Sequence, residues 1–188
     1  MRGLLAAVLL LAACASEPKV DYVALAYEAA DTLVDGAGPA LSAGGPVVYG
    51  VFTPVGHPDT SSEFGRIFAE HVSSRFAQKG IAVVELRLRE AIAMRQGGPY
   101  ALSDNVRDVA RRVQARAALT GTYAVTDGFV LISLRLIDVV SGVVLSSWDR
   151  RIAIGCNDYP LLADEQHPMS GYPAACRYRP FSLLPWPF

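Results

Sequence analysis

The stretch TSSEFGRIFAEHVSSRFAQKGIAVVELRLRE, residues 60–90, carries the pattern that decides the fold. Its first four residues, 60–63, match a capping box and predict a helix that begins at about Ser61. Gly80 stands where a left-handed cap would end that helix, and residues 81–88 then begin with four apolar residues, as in a strand covered on both faces. Between the two ends lies an apolar stripe at helical spacing: Phe64, Ile67, Phe68, Val72 and Phe76.

Gly65 is the unusual residue of this predicted helix. A glycine there costs up to about 1 kcal/mol relative to alanine, which predicts that something approaches the backbone closely. A neighbouring strand is favoured over a ligand. Arg66 and Glu70 lie four residues apart and predict an ion pair on the outer side of the helix. His71 lies at the edge of the apolar stripe, which favours a surface or half-buried histidine over a catalytic one.

The segments around this unit predict further helices and a strand. Residues 20–35 have the period of an amphipathic helix that ends at Gly36, and residues 46–52 (PVVYGVF) form a buried strand. Residues 102–116 predict another helix, whose interleaved aspartates favour a solvated, ion-paired face over a phosphate site. The outward positions of that helix carry Arg107, Arg111, Arg112 and Arg116.

The C-terminal half predicts a meander. Strands are expected over residues 117–125, 129–139 and 143–152, joined by turns at Asp127-Gly128 and near Ser141-Gly142. The middle strand alternates, so that one of its faces packs on helices: Val130, Ile132, Leu134 and Leu136. The fold class is therefore an α/β (α+β) sandwich, with three antiparallel C-terminal strands in a mixed β-sheet and helices packed on it.

The amino terminus predicts export. Arg2 precedes an apolar run from Leu4 to Ala13 that is too short to span a bilayer as a mature helix. The residues Leu11-Ala12-Ala13-Cys14 resemble the lipobox of bacterial lipoproteins. That resemblance implies that residues 1–13 are removed, that Cys14 is lipidated, and that Ala15 directs the chain to the outer membrane, facing the periplasm. The alternative is a secreted protein with a free thiol at Cys14.

The two remaining cysteines predict a disulfide. Cys156 and Cys176 form an even pair in an oxidising compartment, and closing the roughly 20-residue loop between them would add about 3 kcal/mol in the chain-entropy model. Metal binding by the two cysteines with His167 is the alternative. It is disfavoured because the spacing lacks the CxxC and HxxxH patterns of zinc sites.

Residues 153–188 predict an irregular tail rich in proline. Six of the twelve prolines lie in it, and the chain ends in YRPFSLLPWPF. In one interpretation the tail lies back over the sheet and buries Phe181, Leu183, Leu184 and Trp186. In the other, its aromatic side chains dock a partner.

Composition and motifs point away from several functions. The net charge of −1, from 17 basic and 18 acidic residues, provides no field that would gather nucleic acid. Phosphate loops, dinucleotide fingerprints and HExxH or GxSxG motifs are absent from the sequence. The histidines, His57, His71 and His167, suggest no catalytic or metal triad. We expect no catalytic residue, cofactor or metal.

A set of residues spread along the chain occurs in a characteristic order: Ser62, Phe64, Gly65, Gly80, Val84, Glu85, Leu102, Ser103, Gly121, Thr122, Tyr123, Asp138 and Gly142. This order resembles that of the FlgO family of flagellar outer-membrane lipoproteins. The resemblance covers about residues 20–148, and it implies an α/β domain over residues 14–152. Asp104 departs from the family pattern, which usually has an arginine there.

The resemblance implies a non-enzymatic protein that supports flagellar assembly or motility through contacts with envelope or flagellar proteins, or with copies of itself. The fold also resembles the amino-terminal domain of TolB and CsgG-type domains, so an envelope secretion or transport component is the alternative. A periplasmic ligand-binding module is a third. The candidate interaction surface is Arg66, Arg87, Arg89, Phe181 and Trp186.

Overall fold

In a computed structural model, the described part of the chain is residues 20–42, 44–58, 60–86, 113–126 and 128–163. The helices are α1 (Tyr22–Ala37), α2 (Pro39–Ser42), α3 (Glu63–Gln78) and α4 (Tyr159–Leu162). The strands are β1 (Val47–Tyr49), β2 (Thr53–Pro54), β3 (Val83–Glu85), β4 (Ala117–Thr126), β5 (Phe129–Asp138) and β6 (Val144–Ala153). No helix among these residues is long and apolar enough to span a membrane.

The strands form one mixed sheet, which confirms the predicted fold class. Its order is β3-β1-β4-β5-β6, with β2 paired to β4. The strand β1 runs parallel to β3 and β4, whereas β4, β5 and β6 pair antiparallel as the predicted meander. The buried strand at residues 46–52 is shorter than expected: β1 covers only Val47–Tyr49, and a second short strand, β2, follows.

The two long helices pack on one face of the sheet. Their first turns meet where the Tyr22 ring contacts Phe64, with ring centroids 5.6 Å apart. Their last turns meet where the Lys79 ammonium lies 3.5 Å from an Asp35 carboxylate oxygen, so α1 and α3 run parallel. The alternate residues of β5 point into this layer, as predicted, and are buried: Val130, Ile132, Leu134 and Leu136.

The end of α1 differs from the expectation. The helix continues through Gly36 to Ala37, and Gly38 terminates it with φ +47°. Gly36 instead lies against β6, because a β-carbon there would stand 2.4 Å from the Ser146 hydroxyl oxygen. Gly36 therefore permits close packing against β6, although in the sequence it resembled the residue that ends the helix.

The start of α3 also differs, while its end is as predicted. The N-cap is Ser62, whose hydroxyl accepts from the Gly65 N–H at 3.2 Å, so the cap lies two residues after the expected one. At the other end, Gly80 has φ +81° and donates to the Ala77 carbonyl, while Ile81 donates to the Phe76 carbonyl. This pair of hydrogen bonds is a Schellman motif.

The residues after β6 continue the core. Ile154, Tyr159 and Leu162 are buried in the same cluster as the helices, and the Tyr159 hydroxyl accepts from the Gly128 N–H at 3.1 Å. A second, smaller apolar cluster covers the opposite face of β1 through Val48. The strand β1 is therefore buried, as expected. Coverage on both faces was predicted for residues 81–88, and there Val83 and Val84 of β3 pack against the two clusters and are half-buried.

Candidate interaction surfaces

Of the residues predicted to form an interaction surface, Arg66 lies within the described part of the chain. It is half-buried, and its guanidinium donates to the Ser61 carbonyl at 3.4 Å. His71 is half-buried on α3, as expected. Cys156 lies in the turn after β6. The remaining predicted site residues lie outside the described residues: Cys14, Arg87, Arg89, Asp104, Cys176, Phe181 and Trp186.

Gly65 is a packing position, as its sequence context predicted. A β-carbon there would lie 2.2 Å from the Phe52 carbonyl oxygen, and the Phe52 N–H donates to the Gly65 carbonyl at 3.2 Å. Next to it, the Tyr123 hydroxyl donates to the buried Ser62 hydroxyl at 2.7 Å. These contacts bind the first turn of α3 to the chain after β1 and to β4.

The hairpin between β5 and β6 ends in an apolar loop, here called the valine tip (residues 139–144). Val140, Val143 and Val144 expose 88%, 58% and 48% of their surface. Turn residues are usually polar, so three exposed valines around a turn are unusual. The tip is the most apolar exposed segment in the described part of the chain.

Asp138 holds the valine tip in one conformation. Its Oδ1 atom accepts from the N–H groups of Val140 and Ser141, at 3.0 and 2.8 Å, and from the Ser141 hydroxyl at 3.0 Å. The Asp138 N–H donates to the Val143 carbonyl at 2.9 Å. The hydrogen bond from the Ser141 backbone is the main cause that lowers the pKa of Asp138, so the carboxylate stays charged.

Arg116 connects this hairpin to the loop before β1. One guanidinium nitrogen lies 3.1 Å from Asp138 Oδ2, and the Nε–H donates to the Ala40 carbonyl at 2.9 Å. The Arg116 N–H donates to the Pro46 carbonyl at 2.8 Å. The sequence placed Arg116 on the outer face of a helix. That prediction was wrong, because residues 113–116 turn before β4, with Gln114 at φ +52°.

A groove at the same end of the sheet is here called the glycine groove. It has a volume of about 690 Å³, and its apolar lining is Val34, Leu41, Pro46 and Ile81. Gly38, Gly44, Gly45 and Gly80 complete the lining together with Lys79 and Ala82. The Lys79 charge is compensated, because its ammonium lies 3.0 Å from Asp31 and 3.5 Å from Asp35.

A second groove lies on the face of the sheet opposite the two long helices. It has a volume of about 410 Å³ among Val55, Thr122, Leu131 and Arg151. The Arg151 guanidinium lies 3.6 Å from the centroid of the Phe129 ring, which places a cation at the edge of this groove. Among the described residues, no group of three histidine, cysteine or acidic side chains is placed to hold a metal ion.

The valine tip and the glycine groove were not predicted as surfaces. The run VVSGVV, residues 139–144, was a usable signal for the tip because the turn dipeptide is flanked by valines on both sides. No comparable signal existed for the groove. Its lining comes from α1, from α2 with the loop that follows it, and from the α3–β3 turn, and only the fold brings these segments together.

Comparisons with known proteins identify the family and the fold. The sequence profile of a family described as "FlgO protein" matches residues 27–156. The C-terminal domain of LpoB from Salmonella enterica has a similar structure, with a TM-score of 0.53 and 14% identity over 72% of this chain and 100% of that one. The same domain from Escherichia coli gives a TM-score of 0.45, 15% identity and the same coverages. No curated protein sequence matches the chain significantly.

Proposed function

The chain belongs to the FlgO family, and we propose that it is a non-enzymatic outer-membrane lipoprotein that supports flagellar assembly or motility through protein–protein contacts. The observation that carries this proposal is the family match, which spans more than two thirds of the chain. The matched residues contain the sheet, the helix α3, most of α1 and the valine tip.

The proposed anchor is a lipid on Cys14, with residues 1–13 removed and the domain facing the periplasm. Its support is the apolar run directly before Leu11-Ala12-Ala13-Cys14. Several acyl chains, each contributing about 0.8 kcal/mol per buried methylene, would make such attachment stable. We further propose a disulfide between Cys156 and Cys176, as expected for an even cysteine pair in the periplasm.

The proposed partners are envelope or flagellar proteins and copies of this chain. Arg66, Arg87 and Arg89 with the tail aromatics Phe181 and Trp186 remain the candidate contact residues from the sequence. The valine tip adds a further surface, because exposed apolar side chains held in one conformation are typical of contact sites.

Deleting the gene and measuring swimming together with outer-membrane permeability tests the proposal. We expect swimming to be lost with the permeability barrier intact, and we expect the wild-type gene to restore swimming. The variant Cys14→Ala removes the lipidation site, so it should fail to restore swimming. Normal swimming after deletion, or a leaky envelope as the main defect, would contradict the flagellar role and favour a transport-associated one.

The variant Ala15→Asp is the matched control for membrane sorting. It keeps Cys14 and hence lipidation, but it changes the residue after the cysteine that is expected to direct the chain to the outer membrane. If outer-membrane placement matters, this variant is lipidated and also fails to restore swimming. Full rescue by Ala15→Asp, with the protein held in the inner membrane, would show that placement there is sufficient.

A further inference from the structure

The strand β6 lies at one edge of the sheet, so one of its two sides has no neighbouring strand. The Ile154 N–H donates to the Gly128 carbonyl at 2.9 Å and continues the β5–β6 register, so the backbone of Ile154 points toward β5. Backbone N–H and C=O groups alternate in direction along an antiparallel strand. The groups that point to the free side of β6 therefore belong to Ser147, Asp149, Arg151 and Ala153.

This free side is open within the described part of the chain. No described residue donates to the outward carbonyls of those four residues or accepts from their N–H groups. The long charged side chains nearby turn over the faces of the sheet, because the Arg150 guanidinium pairs with Glu28 and the Arg151 guanidinium lies over the Phe129 ring. An open edge of ten residues is a site where a further strand can add.

The last eight residues of the tail, FSLLPWPF (residues 181–188), have prolines spaced to fit such an edge and are here called the tail segment. Pro185 and Pro187 lie two positions apart, and residues two positions apart in a strand point their backbone groups to the same side. Proline has no N–H, so that side of the segment cannot form a regular ladder. The N–H groups of Ser182, Leu184 and Trp186 would point to the other side. The tail segment is therefore suited to be the last strand of a sheet, paired on one side only.

The tail begins at the end of the sheet where β6 ends. The last described residue, Ala163, follows α4, and the Tyr159 hydroxyl of α4 accepts from the Gly128 N–H in the β4–β5 turn. The strand β6 ends beside the same turn, because Ala153 pairs with Phe129. Residues 164–180 connect Ala163 to the tail segment and span at most about 60 Å, so the segment reaches β6 easily. Running back along β6 from there, it would be antiparallel and would extend the meander.

The proline spacing also determines the face on which each side chain of the segment would lie. In an antiparallel pair, two residues that exchange hydrogen bonds lie opposite each other, and their side chains share a face. Leu184 and Trp186 would lie opposite the outward row of β6, whose members Asp149 and Arg151 line the second groove on the helix-free face. Trp186 would then flank that groove. Phe181 would lie on the face that carries the helices.

We propose that the tail segment adds to the free side of β6 as a fourth antiparallel strand of the meander, bonded through Ser182, Leu184 and Trp186. This inference goes beyond the function proposed above, because it requires no flagellar partner. The proposed disulfide between Cys156 and Cys176 would shorten the connection and lower the entropic cost of pairing, although the pairing does not depend on it. Trp186 stays at the surface beside the second groove, where a partner can contact it.

Hydrogen exchange tests this pairing in the full chain, expressed with its own amino terminus and held in detergent micelles. NMR at single amides should show that the outward N–H groups of Asp149 and Arg151 exchange at least about ten-fold more slowly than unpaired amides. The amides of Ser182, Leu184 and Trp186 should be protected as well, and dilution should change none of these rates. Exchange at the unpaired rate would overturn the proposal. Protection that is lost on dilution would also overturn it, because the added strand would then belong to another copy.

Proline substitutions at two neighbouring leucines provide the matched comparison. Leu184→Pro removes an N–H that points to β6, so the amides of Asp149 and Arg151 should return to the exchange rate of unpaired amides. Leu183→Pro removes the same side chain and an N–H that points away from β6, so their protection should persist. The Trp148 amide, which points to β5, should stay protected in both variants and so report an intact sheet. If the two variants keep or lose the protection of Asp149 and Arg151 equally, the proposal is wrong.

Discussion

Phe52 is enclosed by two glycines that lie 56 positions apart in the chain, Gly65 and Gly121. A β-carbon at Gly65 would lie 2.2 Å from the Phe52 carbonyl oxygen, and one at Gly121 would lie 2.5 Å from the Phe52 ring. The ring itself is 1% exposed. The chain after β1 can therefore pass between α3 and the sheet only because neither neighbour carries a side chain.

Replacing Gly65 by alanine is expected to destabilise the domain. Alanine favours a helix by up to about 1 kcal/mol over glycine. The clash with the Phe52 backbone outweighs this gain, because a backbone atom in a packed core cannot rotate away. We expect the free energy of unfolding to fall by about 1–3 kcal/mol in urea denaturation.

Gly36→Ala is the control for this measurement. Gly36 also lies in a helix with a close neighbour, but that neighbour is the Ser146 side chain, whose hydroxyl can change rotamer. The loss of unfolding free energy should therefore be smaller than for Gly65→Ala, or the helix preference of alanine should stabilise the domain slightly. Equal losses for the two variants would mean that the Phe52 carbonyl moves aside readily.

At the scale of elements, α1 and α3 are joined by a group of charges near their last turns. Arg75 binds both carboxylate oxygens of Asp31 at 2.9 Å, and Lys79 binds one of them at 3.0 Å. The hydrogen bonds from Arg75, followed by those from Lys79, lower the pKa of Asp31 to about 2. The Arg75 guanidinium also lies over the Tyr27 ring, 5.3 Å from its centroid.

This lowered pKa predicts a loss of stability in acid. Asp31 binds its proton less readily in the folded than in the unfolded chain. Its contribution to the free energy of unfolding is therefore present above about pH 4 and is lost as the pH falls toward about 2. We expect Asp31→Asn to be less stable than the wild type at pH 7, by an amount that solvent screening keeps modest. The free energies of unfolding of the wild type and Asp31→Asn should become similar near pH 2.

Urea denaturation of both proteins between pH 7 and pH 2 measures this convergence. Asp35→Asn is the control, since Lys79, at 3.5 Å, is the one ion-pair partner of Asp35 within the described ranges and the Asp35 side chain is 75% exposed. At pH 7 the free energy of unfolding of Asp35→Asn should differ less from that of the wild type than the value for Asp31→Asn does. A constant gap between wild type and Asp31→Asn across the whole range would contradict the assignment.

At the scale of the whole molecule, the start of the first described helix and the valine tip lie at opposite ends. Tyr22 contacts Phe64 where α1 and α3 begin, whereas the tip follows the far end of β5. A strand of ten residues is about 33 Å long. If Cys14 is lipidated, the seven residues before Tyr22 span at most about 25 Å, so the tip points on average away from the membrane.

Fluorescence quenching measures this orientation. A polarity-sensitive dye on Val23→Cys, near the start of α1, should be quenched more by quenchers in the lipid than the same dye on Val140→Cys. Both valines are exposed, at 41% and 88%, so labelling should leave the fold intact. Equal or stronger quenching at the tip would mean that the valines contact lipid, and the orientation would be wrong.

Local patterns predicted the parts of the fold that depend on neighbours in sequence. The alternation in β5, the turn at Gly142 and the cap at Gly80 all appear in the structure as expected. Errors arose where one residue type serves two purposes. Gly36 resembled a helix stop but permits contact with β6, and the cap of α3 was assigned two residues early because several hydroxyl residues precede the helix.

The sequence by itself determined the two long described helices, the three-stranded meander and the family, because helical and strand periods and turn residues act over a few neighbouring positions. Only the tertiary structure decided which distant residues meet. It brought Phe52 between Gly65 and Gly121, turned Arg116 from its expected helix face toward Asp138, and assembled the glycine groove from three separate segments. Long-range contacts of this kind depend on how whole elements pack, and no local pattern encodes them.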